Sequence, residues 1–143
     1  MVVRDDDPSG AQRPARVLVI DDVADWRDLA RITIEADAGW IVVGEASDGE
    51  TGVEIAVAVR PDVVLLDIDM PGRGGASTMS ALADAVPDAV VVVWTATPGG
   101  PDASAARERG AAAVIDKGAG LTALMATLGT IALARRSTDL GGC

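Results

Sequence analysis

The sequence predicts an α/β fold built on one parallel sheet, and three observations carry that expectation. Runs rich in Val, Leu, Ile and Ala recur along the chain with helix-length segments between them, the rhythm of βα units. The runs are continuous and not alternating, as strands buried on both faces require. Each run also ends in a chemically useful residue. Val17-Leu18-Val19-Ile20 gives way to Asp21-Asp22, Val63-Val64-Leu65-Leu66 to Asp67, and Val90-Val91-Val92-Val93-Trp94 to Thr95. Ala111-Ala112-Ala113-Val114-Ile115 runs out just before Lys117, the only lysine in the chain. In a parallel sheet these ends share one edge, which is where open α/β sheets place their ligands.

The elements follow in order. Residues 1 to 14, containing Asp5-Asp6-Asp7-Pro8-Ser9-Gly10 and closing at Pro14, read as a disordered acidic lead-in. The first strand is expected from Arg16 to Ile20. A helix from about Ala24 to Ala38 places Trp26, Leu29, Ala30, Ile34 and Ala38 near i, i+3, i+4 spacing and stops at Gly39. The second strand, Trp40 to Ala46, is followed by a turn in which Ser47 or Asp48 can cap the next helix. That helix should end near Arg60, because Pro61 disfavours helical geometry in the residue before it.

Strand three, Val63 to Leu66, delivers Asp67 into the loop Ile68-Asp69-Met70-Pro71-Gly72-Arg73-Gly74-Gly75. A helix over Ala76 to Ala85, a turn at Pro87-Asp88 and strand four over Ala89 to Trp94 come next. Thr97-Pro98-Gly99-Gly100-Pro101 is a flexible connection to a short helix, Asp102 to Arg109, broken by Gly110 before strand five, Ala112 to Ile115. The last helix, about Ala119 to Arg135, carries an apolar stripe of Leu121, Leu124, Met125, Leu128 and Ile131 or Ala132. Ser137 to Cys143 is expected to be a short tail.

Composition bounds the function. A length of 143 residues suits one domain, and 49% hydrophobic with 2% aromatic residues means a core of small aliphatics. The net charge of -10 argues against a general nucleic-acid surface, which needs clustered Lys and Arg. Cys143 is the single cysteine, so no internal disulfide forms. The chain has no histidine, which excludes a histidine phosphodonor, a histidine base or a His-ligated zinc site within it. No apolar stretch reaches membrane-span length and Met1 to Asp7 lacks a secretory apolar region, so a cytoplasmic protein with no membrane contact is expected.

Three carboxylates, a hydroxyl and an ammonium at one sheet edge suggest a chemistry. Clustered carboxylates repel one another unless a hard cation joins them, and Mg²⁺ prefers a few such oxygens. The shared target of a metal ion, an ammonium and a hydroxyl is most often a phosphoryl group. An aspartate among them can be the nucleophile and form an acyl phosphate.

Together, Asp21-Asp22, Asp67 within Leu65-Leu66-Asp67-Ile68-Asp69-Met70-Pro71-Gly72, Thr95-Ala96, and Lys117 after Gly110-Ala111 resemble the receiver domain of two-component response regulators. The resemblance covers residues 15 to 136. It implies a doubly wound five-stranded parallel sheet of order 2-1-3-4-5, a flavodoxin-like receiver fold. Asp67 would be the phosphoacceptor, taking its phosphoryl group from a sensor histidine kinase or phosphotransfer protein. Asp22 and Asp67 would bind Mg²⁺ directly, Asp21 through water, and Asp69 through its main-chain carbonyl. Lys117 would pair with the acceptor and then with the phosphoryl oxygens, Thr95 would turn its hydroxyl to them, and the Ala96 amide would lie nearby. The implied role is a stand-alone switch whose only chemistry is gain and loss of its own phosphoryl group.

Two positions depart from the family pattern. Val114 stands where many relatives carry a switching aromatic, and Gly118 where many have proline after the lysine. Trp94 is bulky enough to fill the space such an aromatic would use, but ordinary core packing is the better explanation. These departures keep open a degenerate interaction module that signals without phosphate. Asp67-Ile68-Asp69 also looks like the motif of haloacid-dehalogenase-type phosphatases, but those enzymes place the nucleophile on the first strand and the acidic pair last.

Overall fold

The computed structural model describes residues 13–70 and 75–141. Residues 1–12 of the expected lead-in, Pro71 to Gly74 and the last two residues lie outside that range. The chain alternates β1 (Ala15–Ile20), α1 (Ala24–Glu35), β2 (Trp40–Ala46), α2 (Gly49–Val59), β3 (Val63–Leu66), α3 (Gly75–Ala85), β4 (Val90–Thr95), α4 (Pro101–Glu108), β5 (Ala113–Asp116) and α5 (Leu121–Gly141). All four strand pairings are parallel, in the order β2-β1-β3-β4-β5. Fold class and strand order match the expectation.

Strand parity divides the core. Leu18, Ile20, Val64, Leu66, Val91 and Val93 face one side, where Ala56 of α2, Met79 and Leu82 of α3, and Ala103 and Ala106 of α4 cover them. Val17, Val19, Val63, Leu65, Val92 and Trp94 face the other, under Ala30 and Ile34 of α1 and Leu124 and Leu128 of α5. Both faces are dry, which is why the runs show no polar alternation. The same parity places Trp94 in ordinary core packing, the reading the sequence favours. Val114 packs with the α2-α3-α4 side and Trp94 with the α1-α5 side, so Trp94 cannot fill the space of an aromatic at 114.

Local chemistry sets the element ends. Asp48 caps α2 by accepting from Thr51 N at 2.7 Å. Arg60 closes that helix in the left-handed region at φ 50°, because Pro61 makes a further helical residue unfavourable. α1 stops at Glu35, short of the expected Ala38, because Asp37 folds the chain back by accepting from Gly39 N at 2.8 Å. α4 begins with Pro101, whose missing N–H costs nothing in the first turn. The last helix starts later than expected: Lys117–Ala119 form a 3₁₀ turn, and Gly120 at φ 91° separates it from α5. α5 then runs to Gly141, through positions read as tail, since no proline or glycine interrupts residues 130–140.

α2 lies close on β1 beneath the sheet edge at Gly52. A Cβ there would stand 2.5 Å from Ile20 Cδ1 and 2.9 Å from Ile20 Cγ1, and Ile20 is fully buried. Gly52→Ala should therefore destabilise the fold by about 1–3 kcal/mol in urea titration. Gly99→Ala, where nothing lies within 4 Å of the added Cβ, is the control and should change stability little. Equal midpoints for the two variants would refute the close approach.

Candidate functional site

The sheet itself aligns the two central carboxylates. Asp21 N donates to Ala46 O at 3.0 Å and Asp67 N to Ile20 O at 2.9 Å, so the ladder continues one residue past β1 and β3. Asp21 and Asp67 are buried, at 1% and 4% exposure, while Asp22 is exposed. Asp21, Asp22 and Asp67 each offer a carboxylate oxygen, all within 4.8 Å of one another. This all-oxygen set suits a hard divalent cation. Arg27 braces it from α1, donating to Asp21 O at 2.7 Å while its Nε lies 3.4 Å from Glu45.

Lys117 enters from the end of β5. Asp116 accepts from Gly118 N at 2.7 Å, which folds the 3₁₀ turn and directs the lysine inward. No described peptide bond is cis, so Gly118 accommodates the family's departure from proline with ordinary trans geometry. Lys117 Nζ is 2.6 Å from Asp21 Oδ2 and 3.4 Å from Asp67 Oδ2. Its closer partner is thus Asp21, not the acceptor that the resemblance pairs with it. Two indole rings complete its surroundings. Nζ lies 4.7 Å from the centroid of Trp26 and 5.4 Å from that of Trp94, and the rings meet edge to face at 5.1 Å. Such faces stabilise an ammonium that has left water.

Burial pushes the Asp67 carboxyl above the usual range, and the charges of Asp21 and Asp69 push the same way. The Asp69 N–H, donating at 2.9 Å, and the Lys117 ammonium oppose that shift without cancelling it. Asp67 is therefore a carboxylate held at a cost, a state that a nearby cation relieves.

Thr95 is fully buried at the end of β4, and its hydroxyl is engaged by Asp69 and Thr97. It donates to Asp69 Oδ2 at 2.5 Å and accepts from Thr97 N at 3.0 Å. Thr97 Oγ1 donates to the other oxygen, Asp69 Oδ1, at 2.8 Å. Asp69 therefore engages through its side chain, a carboxylate that the sequence reading placed at the pocket rim beside the main-chain carbonyl the resemblance assigns to the metal. Ala96 is exposed between the two threonines.

The structure thus brings together Asp21, Asp22, Asp67 and Lys117, with Thr95 and Asp69 adjoining them. Sequence reasoning passed over three contributors. Trp26 reads as part of an apolar helix stripe, and Arg27 carries no motif. Thr97 had one available signal, its position two residues past Thr95 in the same strand-end turn.

Comparisons with known proteins agree with this fold. The family model of the response regulator receiver domain matches residues 17–129. The nitrate/nitrite response regulator protein NarL of Escherichia coli K12 is 38% identical over 100 residues, covering 70% of this chain and 46% of NarL. A protein-glutamate methylesterase/protein-glutamine glutaminase of Symbiobacterium thermophilum is 42% identical over 93 residues, covering 65% of this chain but only 26% of the relative. The chain thus spans at most about half the length of these relatives. Among solved structures, the response regulator domain of Thermotoga maritima CheB superposes with a TM-score of 0.73 at 28% identity, covering 89% of this chain and 98% of that one. With the family model spanning most of its length and this site at the carboxyl edge of its sheet, the chain belongs to the response regulator receiver domain family of two-component systems.

Proposed function

We propose that this chain is a Mg²⁺-dependent phospho-aspartate switch with Asp67 as the acceptor. The observation that carries this reading is the placement of Asp67: buried, held above its usual pKa, and flanked by Asp21, Asp22 and the Lys117 ammonium. A carboxylate oxygen of Asp67 attacks the phosphorus of a phosphohistidine on a kinase or phosphotransfer protein. The P–N bond breaks, its electron pair stays on the imidazole, and an acyl phosphate remains on Asp67. The sequence has no histidine, so that donor lies outside it.

Asp21, Asp22 and Asp67 would hold Mg²⁺ through their carboxylates, with the Asp69 carbonyl as a further oxygen. The ion supplies charge neutralisation at the phosphoryl oxygens, which with positioning provides most of the catalysis of phosphoryl transfer. Lys117, already within reach of Asp67, offsets further negative charge there. Thr95 offers its hydroxyl to a phosphoryl oxygen, and the Ala96 amide is the adjoining donor. The chain's chemistry is confined to its own phosphoryl group, and its setting is the cytoplasm. The phosphatase alternative fits the order of elements poorly, since the acidic pair follows β1 and the nucleophile follows β3.

Incubation with acetyl phosphate and Mg²⁺ should add one phosphoryl group to the intact mass, mapped to Asp67, and Asp67→Asn should abolish it. Equal labelling of the variant would move the acceptor elsewhere. The same variant has a thermal signature. A carboxyl whose folded pKa is raised favours the fold below its unfolded pKa, and that contribution is lost as pH rises through the folded pKa. Asp67→Asn should therefore raise the Tm of the metal-free protein at neutral pH, and the gain should vanish below the ordinary carboxylate range.

Mg²⁺ should raise the Tm by mass action, by about 2.7 kcal/mol of stability at one hundred times its Kd. Asp22→Ala, an exposed position, should leave the fold intact and remove that response. An unchanged titration would place the ion at another site.

Beryllofluoride with Mg²⁺ should alter tryptophan emission and slow amide exchange over Ala96 to Asp102, and Lys117→Ala should blunt both. Trp26 and Trp94 form one optical unit against Lys117, so Trp40→Phe is the background that isolates the signal. Tight beryllofluoride binding with unaltered emission and exchange would favour the module that signals without phosphate.

A further inference from the structure

Thr95 has a single hydroxyl proton, and Asp69 takes it. The bond of 2.5 Å joins a fully buried hydroxyl to a carboxylate, the stronger kind of hydrogen bond. Thr97 reinforces it twice, holding the other carboxylate oxygen through Oγ1 at 2.8 Å and the Thr95 oxygen through its N–H at 3.0 Å. Asp69 is fixed in turn by its own N–H, which donates to Asp67 Oδ1 at 2.9 Å. The loops after β3 and β4 are thereby tied together beside the acceptor. A hydroxyl that donates to Asp69 cannot donate the same proton to a phosphoryl oxygen on Asp67.

We propose that Asp69 and Thr97 are positioning residues: they clamp the Thr95 hydroxyl away from Asp67 in the resting state, so that phosphorylation proceeds against the opening of this clamp. This inference rests on the phosphoacceptor reading of Asp67. It makes the carboxylate at 69 more than a ligand-bearing backbone, and it gives Thr97 a role that no family motif assigns it in this sequence. The clamp sets the balance between the resting and phosphorylated states of the segment after β4, because each state uses the same proton.

Two variants separate the clamp from simple charge repulsion by Asp69. Thr97→Val keeps every charge and removes one leg of the clamp, whereas Asp69→Ala removes both legs and the charge. Both positions are exposed, and circular dichroism with thermal melts confirms that each variant folds. Labelling of Asp67 by acetyl phosphate under Mg²⁺ should be about threefold or more faster in Thr97→Val, and faster still in Asp69→Ala. A double-mutant cycle then places both changes in a Thr95→Val background. If the clamp acts through Thr95, the Thr97→Val acceleration disappears there and that of Asp69→Ala shrinks to its charge component. Accelerations that are the same in both backgrounds would overturn the proposal, as would a Thr97→Val rate equal to that of the parent chain.

Amide exchange of the unphosphorylated protein gives an arm that needs no labelling. Both variants should speed exchange across Ala96 to Gly100, because each loosens the tie that holds the Thr97 N–H on Thr95. Should the parent chain take up no phosphoryl group, the phosphoacceptor reading fails and this arm still decides whether the clamp exists: unchanged exchange in both variants refutes it.

Discussion

One buried ammonium governs the arrangement of this site. Lys117 lies between Asp21 and Asp67 with two indole rings against it, and all three charged groups are at least nine-tenths buried. Taking each ion out of water costs several kcal/mol, and close pairing is what offsets that cost. The pairing is incomplete, since two buried carboxylates share one ammonium and Asp22 adds a third negative group at the rim. Burial raises the Asp67 carboxyl and the charges of Asp21 and Asp69 add to that shift, while the surplus of negative charge makes the cluster receptive to a divalent cation.

The charged cluster depends on backbone geometry that the sheet imposes. Asp21 and Asp67 extend the β1 and β3 ladders by one residue, so their separation is set by strand spacing and not by loop conformation. Such precision needs helices pressed close beneath the edge. Gly52 permits this on α2, while α1 contributes Arg27 and Trp26 from its first turns. Catalytic groups on rigid elements are held more tightly than groups on loops. Asp22 is the exposed member of the acidic set and the one best placed to meet an incoming ion.

What the sequence revealed and what it hid divide along a physical line. Strand positions were legible because burial on two faces forces unbroken aliphatic runs, and the Asp48 cap was legible because helix starts have a side-chain signature. The acidic set, Thr95 and Lys117 were legible because each follows such a run. The Lys117 preference for Asp21 was not, since it depends on which of two carboxylates lies closer by less than 1 Å. Neither was the Asp69–Thr97 contact, which joins loops 28 residues apart with no periodicity to mark it. The opposite orientation of Trp94 and Val114 was available in principle, because Val93 pairs with Val114 and Trp94 with Ile115. Parity along β4 then sends them to different faces.

That parity bears on how a signal could leave the site. An aromatic at 114 would lie on the side of the sheet that α4 covers, whereas Val114 is short and half-buried among aliphatics. The remaining connection from Thr95 to α4 is the backbone of Thr97-Pro98-Gly99-Gly100. Beyond the Thr97 tie to Asp69 and Thr95 it is lightly held: Gly99 has open space around its Cα, Gly100 N donates to Thr97 O at 3.1 Å, and α4 presents only Ala103 and Ala106 to the core. Segments with so few buried apolar contacts sit at the low end of local stability. A hydrogen bond to a charged group is worth roughly 1.5–3 kcal/mol, which is comparable to what holds such a segment in place. Exchanging the Asp69 carboxylate for a phosphoryl group as the partner of Thr95 yields only the difference between two such bonds, so in the proposed switch the β4-α4 segment shifts because the Thr97 tie opens with that exchange, without any aromatic rotamer change.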